Sequence, residues 1–186
     1  MTVVVLDLET TGLDVERHVP VEIAWCNARS GQRGCTVTDH GPADLADADP
    51  VALRVNRYWE RIAPRRDDDR HAGELGQLVA QLGPGVVIAG FNVGAFDVPL
   101  LDRWLVRRGF DPIAGRRPTF DVGAFVAGAL GLAPGTPVGL AQACELLGID
   151  LVGHHGAAED VTATVACLTA AAAVRSPAVT AWPGAA

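Results

Sequence analysis

The stretch Val3-Val4-Val5-Leu6-Asp7-Leu8-Glu9-Thr10-Thr11-Gly12-Leu13-Asp14 decides how this chain reads. Its short apolar run, ended by a turn that contains Gly12, predicts a strand over residues 2–8 buried on both faces, as in a sheet covered by helices. Side chains alternate along a strand, so Asp7 and Glu9 project to the same face at its end. Two adjacent carboxylates repel, and each raises the other's pKa unless a cation sits between them. A divalent metal meets that need, because hard cations prefer oxygen ligands. Taken alone, the pair also has a plainer reading: turn-forming carboxylates at a surface loop.

Working outward, residues 19–25 and 35–38 read as two further strands joined by a hairpin-like link over 27–34. Residues 39–50, rich in Asp, Gly and Pro, read as loop. A helix is expected over 50–62, stopped by Pro64, and a short one over 73–82. The mixed cluster Arg65-Arg66-Asp67-Asp68-Asp69-Arg70 reads as a solvated loop. Residues 86–89 form a fourth buried strand. Helices are then expected over 98–108, with Pro99 tolerated in the first turn, around 122–131 and 138–147, and from about 157 to 174. Three strands, helices, a strand and mostly helices describe an α/β domain with a mixed sheet. One domain over 1–175 is expected, followed by a short, frayed tail over 176–186.

Composition limits the class. The chain has 186 residues, 49% of them hydrophobic and 20% charged, which suits one soluble globular domain with a real core. No apolar stretch is long enough for a membrane span, and no secretory signal pattern opens the chain. Cys26, Cys35, Cys144 and Cys167 form no CxxC pair and read as small buried hydrophobes in a reducing compartment, so the cytoplasm is the expected location. The net charge is −7, and all 15 basic residues are arginine. That balance argues against extensive non-specific duplex binding, while metal ions and local arginines can still hold a few phosphates.

Two more acidic segments bear on Asp7 and Glu9. Phe91-Asn92-Val93-Gly94-Ala95-Phe96-Asp97 lies between a strand and a helix. Asp97 could simply cap that helix, or stand at the carboxyl end of a strand, where open α/β sheets place their sites. In His154-His155-Gly156-Ala157-Ala158-Glu159-Asp160, Asp160 opens the last helix and by itself could only complement its dipole. His155, five residues earlier and flanked by Gly153 and Gly156, reads as part of a flexible lead-in loop able to swing over a metal site. Together the segments supply Asp7, Glu9, Asp97 and Asp160 plus one imidazole, each at an element end. Hydrolysis of a phosphodiester by two metal ions, roughly 3.5–4 Å apart, needs such a carboxylate set. A neutral imidazole, with a pKa near ~6.5, can take the attacking water's proton.

These three segments resemble the motifs of the DnaQ-like 3′–5′ exonucleases of the DEDDh group, on the ribonuclease H-like fold. Asp7 and Glu9 followed by Thr10-Thr11-Gly12-Leu13 match the first motif. Asn92, Phe96 and Asp97 match the second, and His155, Ala157 and Asp160 the third. The resemblance spans residues 3 to about 170, and Gly139 to Ile149 is similar to the helix that precedes the third motif. It implies an α/β fold with a central mixed five-stranded sheet flanked by helices. It also implies that Asp7, Glu9, Asp97 and Asp160 ligate two Mg2+ or Mn2+ ions and that His155 is the general base. Thr10, Thr11 and Leu13 would contact the terminal nucleotide, and Asn92 would organise the site. The chain departs from the pattern in having Phe91 before Asn92 where the family has His, and in Gly94, an extra residue between Asn92 and Phe96-Asp97. Residues 39–72 do not follow the family pattern. Asp121 reads as a helix cap, not a ligand.

The expected function is a metal-dependent 3′–5′ exonuclease acting on a single-stranded DNA or RNA 3′ end and releasing nucleoside 5′-monophosphates. A DNA polymerase or repair protein is a partner the resemblance allows, and the oligomeric state is left open. The alternative is a non-catalytic nucleic-acid-binding or polymerase-accessory module on the same fold.

Overall fold

In a computed structural model, residues 2–66, 71–113, 117–133, 135–153 and 155–174 are described. The expected tail and Asp67 to Arg70 lie outside them. Strand β1 (Thr2–Thr10) pairs antiparallel with β2 (Pro20–Asn27), which pairs antiparallel with β3 (Arg33–Val37). On its other side β1 runs parallel to β4 (Val86–Gly90), and β4 runs parallel to β5 (Thr119–Asp121). The sheet is therefore mixed and five-stranded, in the order β3-β2-β1-β4-β5. The first three strands form a meander. The parallel pairs need crossovers, and those carry the helices.

Both faces of the sheet are covered, which is why its strands read as near-continuous apolar runs. On one face Val4, Leu6, Leu8, Ile23, Trp25 and Ile88 pack with Leu78 of α3 (His71–Gln81) and Leu100, Leu101 and Trp104 of α4 (Asp97–Val106). On the other, Val5, Ala24, Cys26 and Ala89 pack against α5 (Val122–Ala129), α6 (Leu140–Leu147) and α7 (Ala157–Ala173). Helix α7 buries Ala157, Asp160, Val161, Thr164, Cys167 and Ala171, a stripe at helical spacing. Alternation puts Asp7 and Glu9 on the same side as Val5, the side that α7 covers.

Four local expectations need correction. Residues 39–50 are not all loop: α1 (Pro42–Ala46) forms there, with Pro at its start and the Gly41 N–H bonded to Asp44 Oδ2 at 2.7 Å. The helix expected over 50–62 is split. It ends as α2 (Pro50–Val55), because Asn56 turns inward and donates Nδ2 to the Thr10 carbonyl at 3.0 Å. Arg57 then adopts a left-handed φ of 52°, and a π-helical turn follows at Tyr58–Ile62. The third case is β5, three exposed residues with no periodicity to announce them. Lastly, Arg65 and Arg66 are more than a solvated loop: both stay partly or largely exposed, but Arg65 pairs with buried Glu22, and Arg66 donates to the carbonyl of buried His40.

One close approach makes a stability prediction. A Cβ on Gly123, in the first turn of α5, would lie 2.2 Å from the Val138 carbonyl oxygen. That partner is backbone and cannot swing away, so Gly123→Ala is expected to cost about 1–3 kcal/mol. An unchanged urea midpoint would contradict this packing.

Candidate active site

Strand β1 ends in a register irregularity between Glu9 and Thr10, which breaks regular pairing just past the two carboxylates. Asp160 arrives from the first turn of α7, whose lead-in places it over the same end of the sheet; its N–H bonds to the Gly156 carbonyl at 2.9 Å. Carboxylate oxygens of Asp7, Glu9 and Asp160 all lie within 4.8 Å of one another. Asp97, buried at the start of α4, stands outside that group but raises the pKa of Asp7. His155 is exposed, on the loop before α7 rather than in the helix, with a left-handed φ of 71°.

The electrostatics of this cluster are unbalanced. Burial, then Asp97, Glu9, Asp160 and Glu22, push Asp7 well above the carboxylate range. Burial, Asp160 and Glu22 push Glu9 to about 8, with Arg61 opposing. Burial raises Asp97 to about 7 against the pull of the backbone amides of Asp97 and Leu8. An all-oxygen donor set with this surplus of negative charge fits a hard divalent cation, which would allow every carboxylate to ionise.

The motif's remaining residues are placed as follows. Thr10 Oγ1 donates to the Gly12 carbonyl at 2.8 Å, and Thr11 Oγ1 accepts from the Val19 N–H at 3.1 Å. Both threonines are buried, so their hydroxyls shape the turn, and Leu13, 79% exposed, is its apolar surface. Asn92 is exposed with φ 55°, and its N–H donates to Asp121 Oδ2 at 2.9 Å. Asp121 also caps α5 through the Ala124 N–H, as expected, so one carboxylate braces both the 92–96 turn and the helix. A Cβ on the inserted Gly94 would sit 2.7 Å from Thr119 Oγ1, so the extra residue fits there because it is glycine.

Sequence reasoning missed Glu22, Arg61 and Arg65. Glu22 is directly opposite Glu9 in the β1–β2 register and 1% exposed. Burial would raise its pKa, but hydrogen bonds and charge from Arg61, the Ala157 N–H and Arg65 outweigh this and lower it. The available signal was a carboxylate between Val21 and Ile23, inside an otherwise apolar expected strand: a charge buried there needs a partner.

A mixed sheet with carboxylates converging from a strand end and a helix start defines a candidate metal-dependent nuclease. The RNase_T exonuclease family model matches residues 4–168, and the chain belongs to that exonuclease family. This bears out the resemblance to the DnaQ-like 3′–5′ exonucleases. Among solved structures, exonuclease I from Methylocaldum szegediense aligns at TM-score 0.73 and 23% identity, covering 95% of this chain and 41% of that one. The zinc-bound E. coli exonuclease I–ssDNA complex aligns at 0.71 and 21%, covering 89% and 39%. E. coli exonuclease I with a dT13 oligonucleotide aligns at 0.71 and 20%, covering 93% and 41%. The chain thus spans about two fifths of the length of these proteins, and the likeness is one of fold, the ribonuclease H-like fold. No curated protein matches the chain by sequence. No helix among the described residues is long and apolar enough to cross a membrane.

Proposed function

We propose that this domain hydrolyses phosphodiester bonds one nucleotide at a time from the 3′ end of a single strand, releasing nucleoside 5′-monophosphates. The observation that carries the reading is the cluster of Asp7, Glu9 and Asp160 oxygens within 4.8 Å, with Asp97 alongside. These four carboxylates would hold two Mg2+ or Mn2+ ions. When bound, such ions supply charge neutralisation at the scissile phosphate and an acidified water. His155, on its glycine-flanked loop, takes the proton from the attacking water. Exposed Leu13 and the backbone of the Thr10–Leu13 turn receive the terminal nucleotide, and Asn92 borders it on the β4 side. Single-stranded DNA is the first substrate to try, since the exonuclease I structures named above include complexes with it.

The test uses 5′-labelled single-stranded DNA and RNA of one sequence. Mg2+ should produce a ladder shortening from the 3′ end, abolished by a chelator. His155→Ala should lower kcat by at least about 10²-fold. Intact oligonucleotides in both Mg2+ and Mn2+ would sink the hydrolytic reading and leave that of a binding module.

A further inference from the structure

Contacts from three segments of the site meet at one guanidinium. Arg61 Nη2 donates to Glu22 Oε2 at 2.9 Å and to the His155 carbonyl at 3.1 Å, while its Nε donates to the Asn56 carbonyl at 3.3 Å. Asn56 in turn donates to the carbonyl of Thr10, the residue after Glu9. Glu22 Oε2 also accepts the Ala157 N–H at 3.2 Å. The His155 carbonyl and the Ala157 N–H, on either side of Gly156, are therefore tied to one ion pair, between buried Glu22 of β2 and Arg61 of the π-helical turn.

Gly156 shows how closely this pair approaches the loop. A Cβ there would lie 2.3 Å from Glu159 Oε2 and 3.2 Å from Arg61 Nη1. His155 itself holds a left-handed backbone, which a non-glycine residue keeps only where its surroundings enforce it. The π-helical turn brings Arg61 to this point, and such turns are frequent at functional sites. Arg65 is the other cation on Glu22, bonded to its second oxygen, Oε1. The buried carboxylate therefore keeps a counter-charge if Arg61 is lost.

We propose that Arg61, anchored by Glu22, is a positioning residue that holds the His155 backbone in its left-handed pose and so aims the imidazole at the reaction centre. The inference rests on the reading of His155 as general base. It assigns Arg61 a different task from Arg65, although both pair with the same carboxylate.

Arg61→Gln and Arg65→Gln make the comparison, since each removes one cation from Glu22 and only the first releases the His155 carbonyl. Arg61→Gln should lower kcat by about 10- to 100-fold with KM and the Mg2+ half-saturation unchanged, Arg61→Lys should recover part of the loss, and Arg65→Gln should retain kcat. Amide exchange at Gly156 and Ala157 should quicken in Arg61→Gln and not in Arg65→Gln, a readout independent of activity. In a His155→Ala background, Arg61→Gln should cause no further loss of kcat. Equal losses in the two arginine variants, unchanged exchange in Arg61→Gln, or a full additional loss in the His155→Ala background would each overturn the proposal. A wild-type protein without nuclease activity would instead remove the general-base reading, and the exchange result would still report whether Arg61 holds the loop.

Discussion

Asp7→Asn is expected to abolish metal-dependent cleavage, by a factor on the order of 10³ or more, while making the metal-free protein more stable at pH 8. The first effect follows from position. Asp7 and Glu9 project from one face of β1, and their oxygens and those of Asp160 form the close carboxylate group. Losing one ligand from such a set removes several kcal/mol of transition-state charge stabilisation, and each 1.36 kcal/mol is about a factor of ten. The second effect follows from the same crowding. Burial and four neighbouring carboxylates oppose ionisation of Asp7, so its charge works against the fold unless a cation is bound. Asparagine keeps the shape and removes the repulsion. The checks are single-turnover cleavage with Mg2+ and a thermal melt in chelator at pH 8. A variant that cleaves at the wild-type rate would refute the ligand role. One that melts well below wild type in chelator would show that Asp7 stabilises the fold instead of straining it.

The two sides of the site differed in how far they could be read from sequence. Asp7 and Glu9 were legible because strand alternation is a rigid rule: two residues apart on a strand means one face. Asp160 was legible because a long alanine-rich helix has an identifiable start, and its first turn must lie near whatever the helix packs on. The first four strands were legible as apolar runs bounded by turn residues, but the pairing of β1 with β2 and with β4, and the parallel direction of β4, were not. What remained hidden depended on long-range polar contacts. Nothing local in Pro50 to Ile62 says that Asn56 will reach Thr10, 46 residues away, and break the helix. Nothing near Arg61 or Arg65 says that both will turn toward Glu22. β5 was invisible because three exposed residues carry no pattern; only the open edge of β4 gives them a partner. Glu22 alone had a usable signal, since a carboxylate buried inside an otherwise apolar strand must be paired.

Metal and pH should control stability together, in a direction opposite to that of most acidic groups. The folded-state pKa values of Glu9, about 8, of Asp97, about 7, and of Asp7 all lie above their ordinary values near 4. Between those limits the native state binds more protons than the unfolded chain. The stability that Glu9 and Asp97 contribute is then fully present below the unfolded pKa and is lost as pH rises through 7 to 8, and Asp7 acts in the same direction. Each differential proton corresponds to about 1.4 kcal/mol per pH unit. Glu22 acts in the other sense: its pKa is lowered by Arg61, Ala157 and Arg65 despite burial, so its contribution is lost on acidification below the ordinary glutamate range. The metal-free protein should therefore be most stable in mildly acidic solution near pH 5, and its melting temperature should fall steadily toward pH 8.5. A divalent cation reverses this, because it binds the ionised carboxylates that high pH produces. At a hundred times its dissociation constant a ligand adds about 2.7 kcal/mol, worth roughly 5–10 °C for a chain of this size. Mg2+ or Mn2+ should give that shift at pH 8 and little at pH 5, where protons occupy the same oxygens. Thermal melts with and without cation at the two pH values provide the check, and Asp7→Asn should shrink the pH 8 shift. An equal shift at both pH values would mean that the cation stabilises the protein somewhere other than at Asp7, Glu9 and Asp160.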